Sequence, residues 1–224
     1  VVLTEEVCSV CLAACRTLSD GALTGPADVG GREVPLVSLT ARRLEDVLAP
    51  VAPVATLLGQ AERGQRLLHV RGARLLALSM HVARYLVRVG GRRPEVALVR
   101  VTPRGDLVAP GRWYPDLLDA GGGVPRLVAA GAEDAPLTPA ALQAAALDLL
   151  IVGAEGPDGL ERALAAARSL GGAAGERWAL KLDGLFTRPA PHLVDAVEVL
   201  LRMVFPAALG ANGTPPPPER ALRL

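Results

Sequence analysis

The residue types best able to do chemistry are concentrated in three short stretches of the 224-residue chain. The first stretch holds thiols, the second an adjacent pair of large aromatic rings, and the third a carboxylate and a phenyl ring. These are, in chain order, Cys8, Cys11 and Cys15, then Gly111, Arg112, Trp113 and Tyr114, then Asp183 and Phe186.

The thiol stretch, Cys8-Ser-Val-Cys11, follows an apolar strand and opens a helical segment. A helix amino terminus lowers the pKa of a thiol, which favours reactivity. A zinc site would need a second ligand pair, and the nearest histidine in the sequence is His69. A redox CxxC would need a thioredoxin-like pattern around it, which is absent. Three roles remain open for these cysteines: facing a ligand, filling the core, or metal or redox chemistry.

The aromatic pair, Trp113 and Tyr114, follows the break Pro110-Gly111 in a chain with only six aromatic residues. The pattern predicts a corner between an apolar strand and a short helix. Ligands of open α/β sheets bind at such corners, beside the carboxyl ends of strands. Trp113 and Tyr114 either form an exposed surface for a ligand or anchor the helix to its own sheet.

Composition argues against several classes of function. The chain has 24 basic and 23 acidic residues, well mixed, so no basic stripe predicts nucleic-acid binding. No run of 18 apolar residues is free of charge, so no transmembrane segment is predicted. No nucleophile–base series, phosphate-cradling loop or carboxylate pair is present, and the histidines stand singly. We therefore expect no catalytic residue, no metal site and no enzymatic activity.

The elements that position these residues alternate between strands and helices. Alternation of this kind predicts an α/β fold with mostly parallel sheets and right-handed crossovers. The segment 19–31 is rich in glycine and predicts a loop, and Thr40 predicts an N-cap for a helix that begins at Ala41. Strands are predicted over 1–4, 33–39, 95–101, 147–152 and 178–182, and helices over 8–18, 61–89, 114–120, 158–170 and 190–204, with another starting after Thr138.

Four segments predict the domain organisation. Residues 1–60 form a partial N-terminal α/β lobe, and 61–91 a connecting helix that serves as a strut. Residues 92–210 form a C-terminal α/β lobe, and 211–224 a disordered, proline-rich tail. Because Val1 to Thr4 reads as the end of a strand, we expect the start of the N-terminal lobe to be missing.

Four stretches together resemble the helical-backbone periplasmic-binding-protein superfamily, and in particular its cobalamin-binding subgroup. VVLTEEVCSVC (1–11) resembles the pattern DLVLTQxxCxVC, and VSLTARRLEDVL (37–48) resembles VSLxPxTLEDVL. GRWYPDLLDAGG (111–122) is similar to GHWVPELVELAGG, and WALKLDGLFTRPAPHLVD (178–195) to VYALDGNAYFSRPGPRLVD. The four occur in the family's order and cover most of residues 1–206.

The resemblance implies two Rossmann-like lobes joined by a rigid helix, with a ligand held in the cleft between them. The expected ligand is a corrinoid such as cobalamin, or a related haem or ferric siderophore, carried without any intrinsic cofactor. Indole stacking on a flat macrocycle makes Trp113 the main binding surface, and Arg112 can pair with a polar edge of the ligand. The implied ligand-binding residues are Glu6, Cys8, Cys11, Gly111, Arg112, Trp113, Tyr114, Asp183 and Phe186.

Two of these residues also have a purely structural interpretation. Asp183 and Phe186 follow the last predicted strand, where they can form a polar and an apolar wall of the same cleft. Alternatively, Asp183 caps its own turn and Phe186 packs inside.

The chain departs from the family at several cleft positions. Arg112 replaces the usual histidine, RVTPRG (100–105) lacks the aromatic and acidic residues of EWLDPP, and the loop after Leu182 is shorter. The loop 19–31 is longer than usual. These departures bear on the identity of the ligand more than on the fold.

The family implies delivery of the ligand to an ABC permease. A signal peptide on the full chain would place the protein in the periplasm or at the cell surface, and its absence would place it in the cytoplasm. Two alternatives follow from the cysteines and the altered cleft. One is an intracellular protein that uses the CxxC pair for redox or metal handling, and the other is a degenerate copy without a ligand.

Overall fold

A computed structural model describes residues 2–4, 25–28, 33–208 and 216–224. The chain forms two compact units, Val1–Gly72 and Ala73–Leu224. The boundary between the two units, after Gly72, falls inside the long helix Ala61–Val89 and not at either end of it.

The first unit contains a three-stranded sheet made of β1 (Val2–Thr4), β2 (Gly25–Asp28) and β3 (Glu33–Ser38). The strand order is β1-β3-β2, with β3 parallel to β1 and antiparallel to β2. The predicted strands at 1–4 and 33–39 are confirmed. The predicted loop over 19–31 is wrong for β2, because its backbone pairs with β3.

Two short helices follow, α1 (Leu44–Leu48) and α2 (Val51–Leu57). The prediction that Thr40 caps a helix from Ala41 is wrong. The helix starts at Leu44, three residues after the predicted start. The carboxylate of Asp46 caps it by accepting hydrogen bonds from the backbone N–H groups of Arg42 and Arg43. Pro50 stands between the two helices, where a fixed φ without an N–H suits a helix start.

The long helix α3 (Ala61–Val89) has the predicted bounds. It ends where Gly90 takes φ +60° and Gly91 N–H reaches back to the Leu86 carbonyl, at 3.2 Å. Its second half is buried on one side through Leu78 and Val82. This half therefore contributes to the core of the second unit, whereas the sequence suggested a strut.

The second unit is built on a seven-stranded sheet. Three parallel strands lie next to one another at its centre, and the shorter strands flank them, in the order β10-β9-β8-β4-β5-β7, with β6 paired to the start of β4. The strands are β4 (Glu95–Val101), β5 (Leu107–Ala109), β6 (Val124–Pro125), β7 (Ala135–Pro136), β8 (Leu147–Glu155), β9 (Ala174–Leu182) and β10 (Ala221–Arg223).

The central strands are apolar because they are covered on both faces, as expected for parallel strands. Val96, Val99, Leu150 and Ile151 have no exposed surface. The helix Gly159–Ser169 packs against β8 and β9. The α/β class and the mostly parallel sheet predicted from the sequence are confirmed.

In the described part of this unit, five α-helices follow β5: α4 (Tyr114–Ala120), α5 (Pro139–Ala144), α6 (Gly159–Ser169), α7 (Gly184–Thr187) and α8 (Leu193–Val204). The predicted cap of α5 is confirmed, since Thr138 Oγ1 accepts a hydrogen bond from Ala141 N–H at 3.2 Å. Gly121, at the end of α4, lies so close to Leu200 of α8 that a Cβ there would stand 3.1 Å from the leucine Cβ.

The prediction of a disordered tail over 211–224 is wrong for its last part. Residues 221–223 form β10, which pairs antiparallel with β9 in the register Ala221↔Leu180. Ala221 is buried, and Lys181 N–H donates to the Arg220 carbonyl at 2.8 Å. Strand pairing and the burial of one small side chain order this segment despite the prolines before it. Residues 211–215 lie outside the described ranges.

Candidate ligand-binding site

The carboxyl ends of β8 and β9 border a pocket of about 310 Å³ in the second unit. Parallel strands end at the same edge of a sheet, and this edge is where open α/β folds bind ligands. Two loops and the short helix α7 form its walls. The lining residues are Glu155, Gly156, Pro157, Lys181, Leu182, Asp183, Gly184, Thr187 and Arg188.

The wall formed by residues 183–188 is held by hydrogen bonds at several points. Asp183 Oδ1 accepts from Leu185 N–H at 3.0 Å, which makes Asp183 the N-cap of α7. Its other oxygen lies 3.2 Å from the guanidinium of Arg220. Thr187 Oγ1 donates back to the Asp183 carbonyl, and His192 Nε2 lies 2.7 Å from the Gly184 carbonyl. Asp183 thus caps its own turn and also lines this pocket, whereas its contact with a ligand stays a prediction.

Trp113 holds the same wall from inside the protein. Its indole N–H donates to the Phe186 carbonyl at 3.1 Å, which joins two stretches 73 residues apart in the sequence. The side chain of Trp113 is only 4% exposed and that of Phe186 is fully buried. The expectation of an exposed aromatic pair is therefore wrong for this structure, because the indole packs in the interior. Direct stacking of a ligand on Trp113 stays a prediction.

Tyr114 is also buried, and its ring stacks on the indole with centroids 5.9 Å apart and 19° between the planes. Burial raises the pKa of its hydroxyl above the ordinary value of 10.0. Tyr114 is therefore neutral at physiological pH and acts as an apolar support for Trp113.

The turn before Trp113 has a demanding backbone geometry. A Cβ on Gly111 would stand 2.2 Å from the Ala132 carbonyl oxygen and 2.7 Å from that of Glu133, so only glycine fits. Arg112 takes φ +51°, and its guanidinium lies 3.6 Å from the Glu133 carboxylate. Gly111 and Arg112 thus join the turn to the segment 132–134; their contact with a ligand stays a prediction.

A charged network extends from this turn to the pocket. Asp134 accepts from Gly111 N–H at 2.9 Å and also pairs with Arg100, near the end of β4. The other arm of Arg100 lies 3.2 Å from Glu155, which lines the pocket. Each pocket carboxylate thus has a guanidinium partner: Glu155 shares Arg100 with Asp134, and Asp183 pairs with Arg220.

Two cations of the pocket lack such partners. Neither Lys181 nor Arg188 forms an ion pair with any residue in the described ranges, and the Arg188 side chain lies against Gly184. The pocket therefore presents unpaired positive charge at the sheet edge. Sequence reasoning missed Lys181, Arg188 and Arg220. A signal for Lys181 was available, because it stands between Leu180 and Leu182 where the family pattern has alanine.

A second, wider groove of about 740 Å³ lies beside β5 and the end of α6. Its walls are mostly apolar, and its charged residue Asp106 accepts a hydrogen bond from Thr102 Oγ1 at 3.3 Å. The lining of this groove contains no cation that could pair with an anionic ligand, so we place the candidate site at the smaller pocket.

Three candidate residues, Glu6, Cys8 and Cys11, lie outside the described residues, as does the predicted helix over 8–18. Within the described ranges, no group of three or more His, Cys, Asp or Glu side chains is arranged to hold a metal ion. Within the same ranges, no helix is long and apolar enough to cross a bilayer.

Comparison with known proteins identifies this architecture. No protein-family model matches the chain, and no curated protein matches it. Solved structures do match. A periplasmic haem-binding protein from Pseudomonas aeruginosa is 17% identical, with a TM-score of 0.68, over 99% of this chain and 75% of that one. The chain has the fold of a periplasmic binding protein.

Two further structures with this fold carry different ligands in their names. The periplasmic haem-binding protein RhuT from Roseiflexus sp. RS-1 is 24% identical, with a TM-score of 0.63, over 92% of this chain and 76% of that one. The periplasmic vitamin B12 binding protein BtuF of Vibrio cholerae is 14% identical, with a TM-score of 0.62, over 93% and 74%. The periplasmic-binding-protein fold predicted from the four motifs is confirmed, whereas the cobalamin-binding subgroup is not singled out.

Proposed function

We propose that the protein is a substrate-binding protein that captures a haem, corrinoid or ferric-siderophore ligand and delivers it to an ABC permease. The pocket at the carboxyl ends of β8 and β9 carries this proposal. It occupies the edge of the sheet where this class of fold binds ligands, and its wall is held rigidly by internal hydrogen bonds. Capture between two lobes stays a prediction from the resemblance.

The role is one of binding without catalysis. Neighbours in fold are periplasmic proteins that bind haem or vitamin B12, and another is an ABC transporter substrate-binding protein from Listeria monocytogenes. The pocket offers cations and backbone groups, and its two carboxylates are engaged in ion pairs, so neither is placed to exchange protons with a substrate. We propose a periplasmic or cell-surface location on the same grounds.

Among these ligands the pocket favours one that carries a carboxylate. Lys181 and Arg188 supply unpaired positive charge, and charge-assisted hydrogen bonds to carboxylates are the strongest that such side chains make. Haem has two propionate groups at one edge, whereas the side chains of the cobalamin ring are amides. We therefore propose haem as the preferred member of the class and Lys181 as a determinant of that preference.

The test is a titration of the full-length protein with haem, haem dimethyl ester, cobalamin and a ferric hydroxamate, followed by tryptophan quenching and visible absorbance. We expect haem to bind and its dimethyl ester to bind about tenfold more weakly or worse. A hydrogen bond to a charged group contributes about 1.5–3 kcal/mol, and 1.4 kcal/mol corresponds to tenfold.

Variants that remove one positive charge test which side chains cause the difference in affinity between haem and its ester. Lys181→Met and Arg188→Gln should lower the affinity for haem while leaving that for its ester unchanged. Arg126→Gln is the matched control, because Arg126 pairs with Glu95 at the opposite end of β4 and should change neither affinity. Absence of binding by every ligand would refute the proposed function. Equal affinity for haem and ester would refute only the role of the two cations.

A further inference from the structure

The outward face of the second half of α3 carries an apolar stripe. Leu76, Met80, Ala83 and Val87 follow one another at steps of four, three and four residues, which places them on one face of the helix. Leu76, Met80 and Val87 are 62%, 43% and 83% exposed. Single exposed apolar residues are ordinary, but a row of them along one helix is a surface feature.

The opposite face of this helix is already used. Leu78 and Val82 are buried, and Val82 stands next to Gly122, which leaves no room for a Cβ there. The Tyr85 ring packs on Phe205 with the two centroids 5.4 Å apart. The helix is thus fixed to its unit, so rotation cannot bury the apolar stripe.

The charged residues of this half of the helix are all basic. Residues 73–89 contain arginines and a histidine but no aspartate or glutamate. Arg84 forms no ion pair with the described residues, and Arg88 lies over the Tyr85 ring at 5.8 Å. Arg74, in contrast, is paired with Glu198 on the inner side. A chain with a net charge of only +1 therefore concentrates unpaired positive charge next to its exposed apolar residues.

We propose that this face of α3 binds the surface of an anionic phospholipid bilayer. Leu76, Met80 and Val87 enter the interface while Arg84 and Arg88 pair with lipid phosphates, as in amphipathic helices that lie in the plane of a membrane. This property is independent of the ligand pocket and would hold the protein beside the membrane.

A second copy of the chain fits this face poorly. Pairing two such helices would bring their arginines together without an acidic residue between them. The stripe spans 12 residues, or about 16 Å along the helix axis, whereas a stable dimer buries about 800 Å² on each partner. Charge and area therefore both favour lipid over self-association.

The test is co-sedimentation of the full-length protein with vesicles made of equal parts phosphatidylglycerol and phosphatidylcholine, and with vesicles of phosphatidylcholine alone. We expect binding to the anionic vesicles only, and weaker binding at high salt. Arg84→Gln and Arg88→Gln should each weaken binding about fivefold, the effect of one basic residue near an anionic surface.

Apolar variants complete the test. The double variant Leu76→Ser/Val87→Ser should abolish binding, and Leu58→Ser is the matched control. Leu58 is as exposed as Leu76, at 62%, but lies outside the stripe. Circular dichroism checks that each variant is folded. Equal binding to both vesicle types, or an unaffected double variant, would overturn the proposal. So would a dimer in vesicle-free solution that the double variant dissociates, because a second copy would then cover the face.

Discussion

At the scale of single residues, the role expected from the sequence and the role seen in the structure differ most for Trp113. Its type and position suggested a stacking surface, but the structure gives its N–H a carbonyl partner in the interior. An indole offers both a large apolar area and a donor, and a buried indole places that donor on a partner. Trp113 therefore positions the wall 183–188, and the unpaired Lys181 and Arg188 are the residues that we propose to contact the ligand.

The substitution Trp113→Phe tests this role. The variant leaves the Phe186 carbonyl without its donor, which should lower the free energy of unfolding by about 1–3 kcal/mol in urea denaturation. Haem affinity should fall as well, because the pocket wall loses an anchor.

Trp178→Phe is the matched control for the change in ring size. The Trp178 N–H donates to the carboxylate of Glu176, at 2.9 Å, and this carboxylate is partly exposed. Water can replace the lost donor there, so both losses should be smaller. Equal losses in the two variants would show that the indole–carbonyl hydrogen bond has no special role.

At the scale of elements, an ion pair ties the start of β4 to the start of β8. Arg92 donates two hydrogen bonds of 2.8 Å to Asp148, and Glu95 N–H donates a third at 2.7 Å. The Arg92 hydrogen bond, followed by the one from Glu95, holds the pKa of Asp148 below its usual range. The pair lies at the edge of the sheet opposite the pocket, so it contributes to strand register and not to ligand binding.

The Arg92–Asp148 ion pair predicts that the fold loses part of its stability at low pH. A carboxylate with a lowered folded-state pKa stabilises the fold above its unfolded-state pKa, and the contribution is lost as pH falls through the folded-state value. Wild type should therefore be more stable than Asp148→Asn near neutral pH. The difference should shrink below the ordinary aspartate pKa of 3.8. The measurement is urea denaturation of both proteins across that range; a pH-independent difference would contradict it.

At the scale of the whole molecule, stability is distributed unevenly across the sheet of the second unit. β4 and β8 lie in its middle and are almost fully buried, whereas β5, β7 and β10 are short strands towards its edges. Local opening costs least where few apolar contacts are lost. The central strands should therefore form the most persistent part of this unit.

Hydrogen exchange followed by mass spectrometry should show this gradient. Amides of 96–101 and 149–154 should exchange most slowly, and those of 107–109, 135–136 and 221–223 faster. Haem should slow exchange in 183–188, since that segment lines the pocket. Uniform exchange across the sheet would contradict the prediction, and unchanged exchange in 183–188 would argue against the proposed site.

The amino-acid sequence alone determined the elements that local rules control. The bounds of α3, β4 and α4 follow from periodic apolar residues, glycines and prolines, and the structure has them as predicted. Motif order was enough for the fold class, which the solved structures confirm. Turn chemistry likewise identified Thr138 as a cap.

Only the tertiary structure decided which side of each motif faces inward. β2 and β10 were missed because their local sequence patterns are weak. Each is stabilised by backbone pairing with a neighbouring strand, β2 with β3 and β10 with β9. The same holds for Trp113, whose partner is 73 residues away, and for the charges of the pocket. Lys181 has no ion-pair partner because the two carboxylates of the pocket, Glu155 and Asp183, pair with Arg100 and Arg220 instead. Long-range packing sets that arrangement.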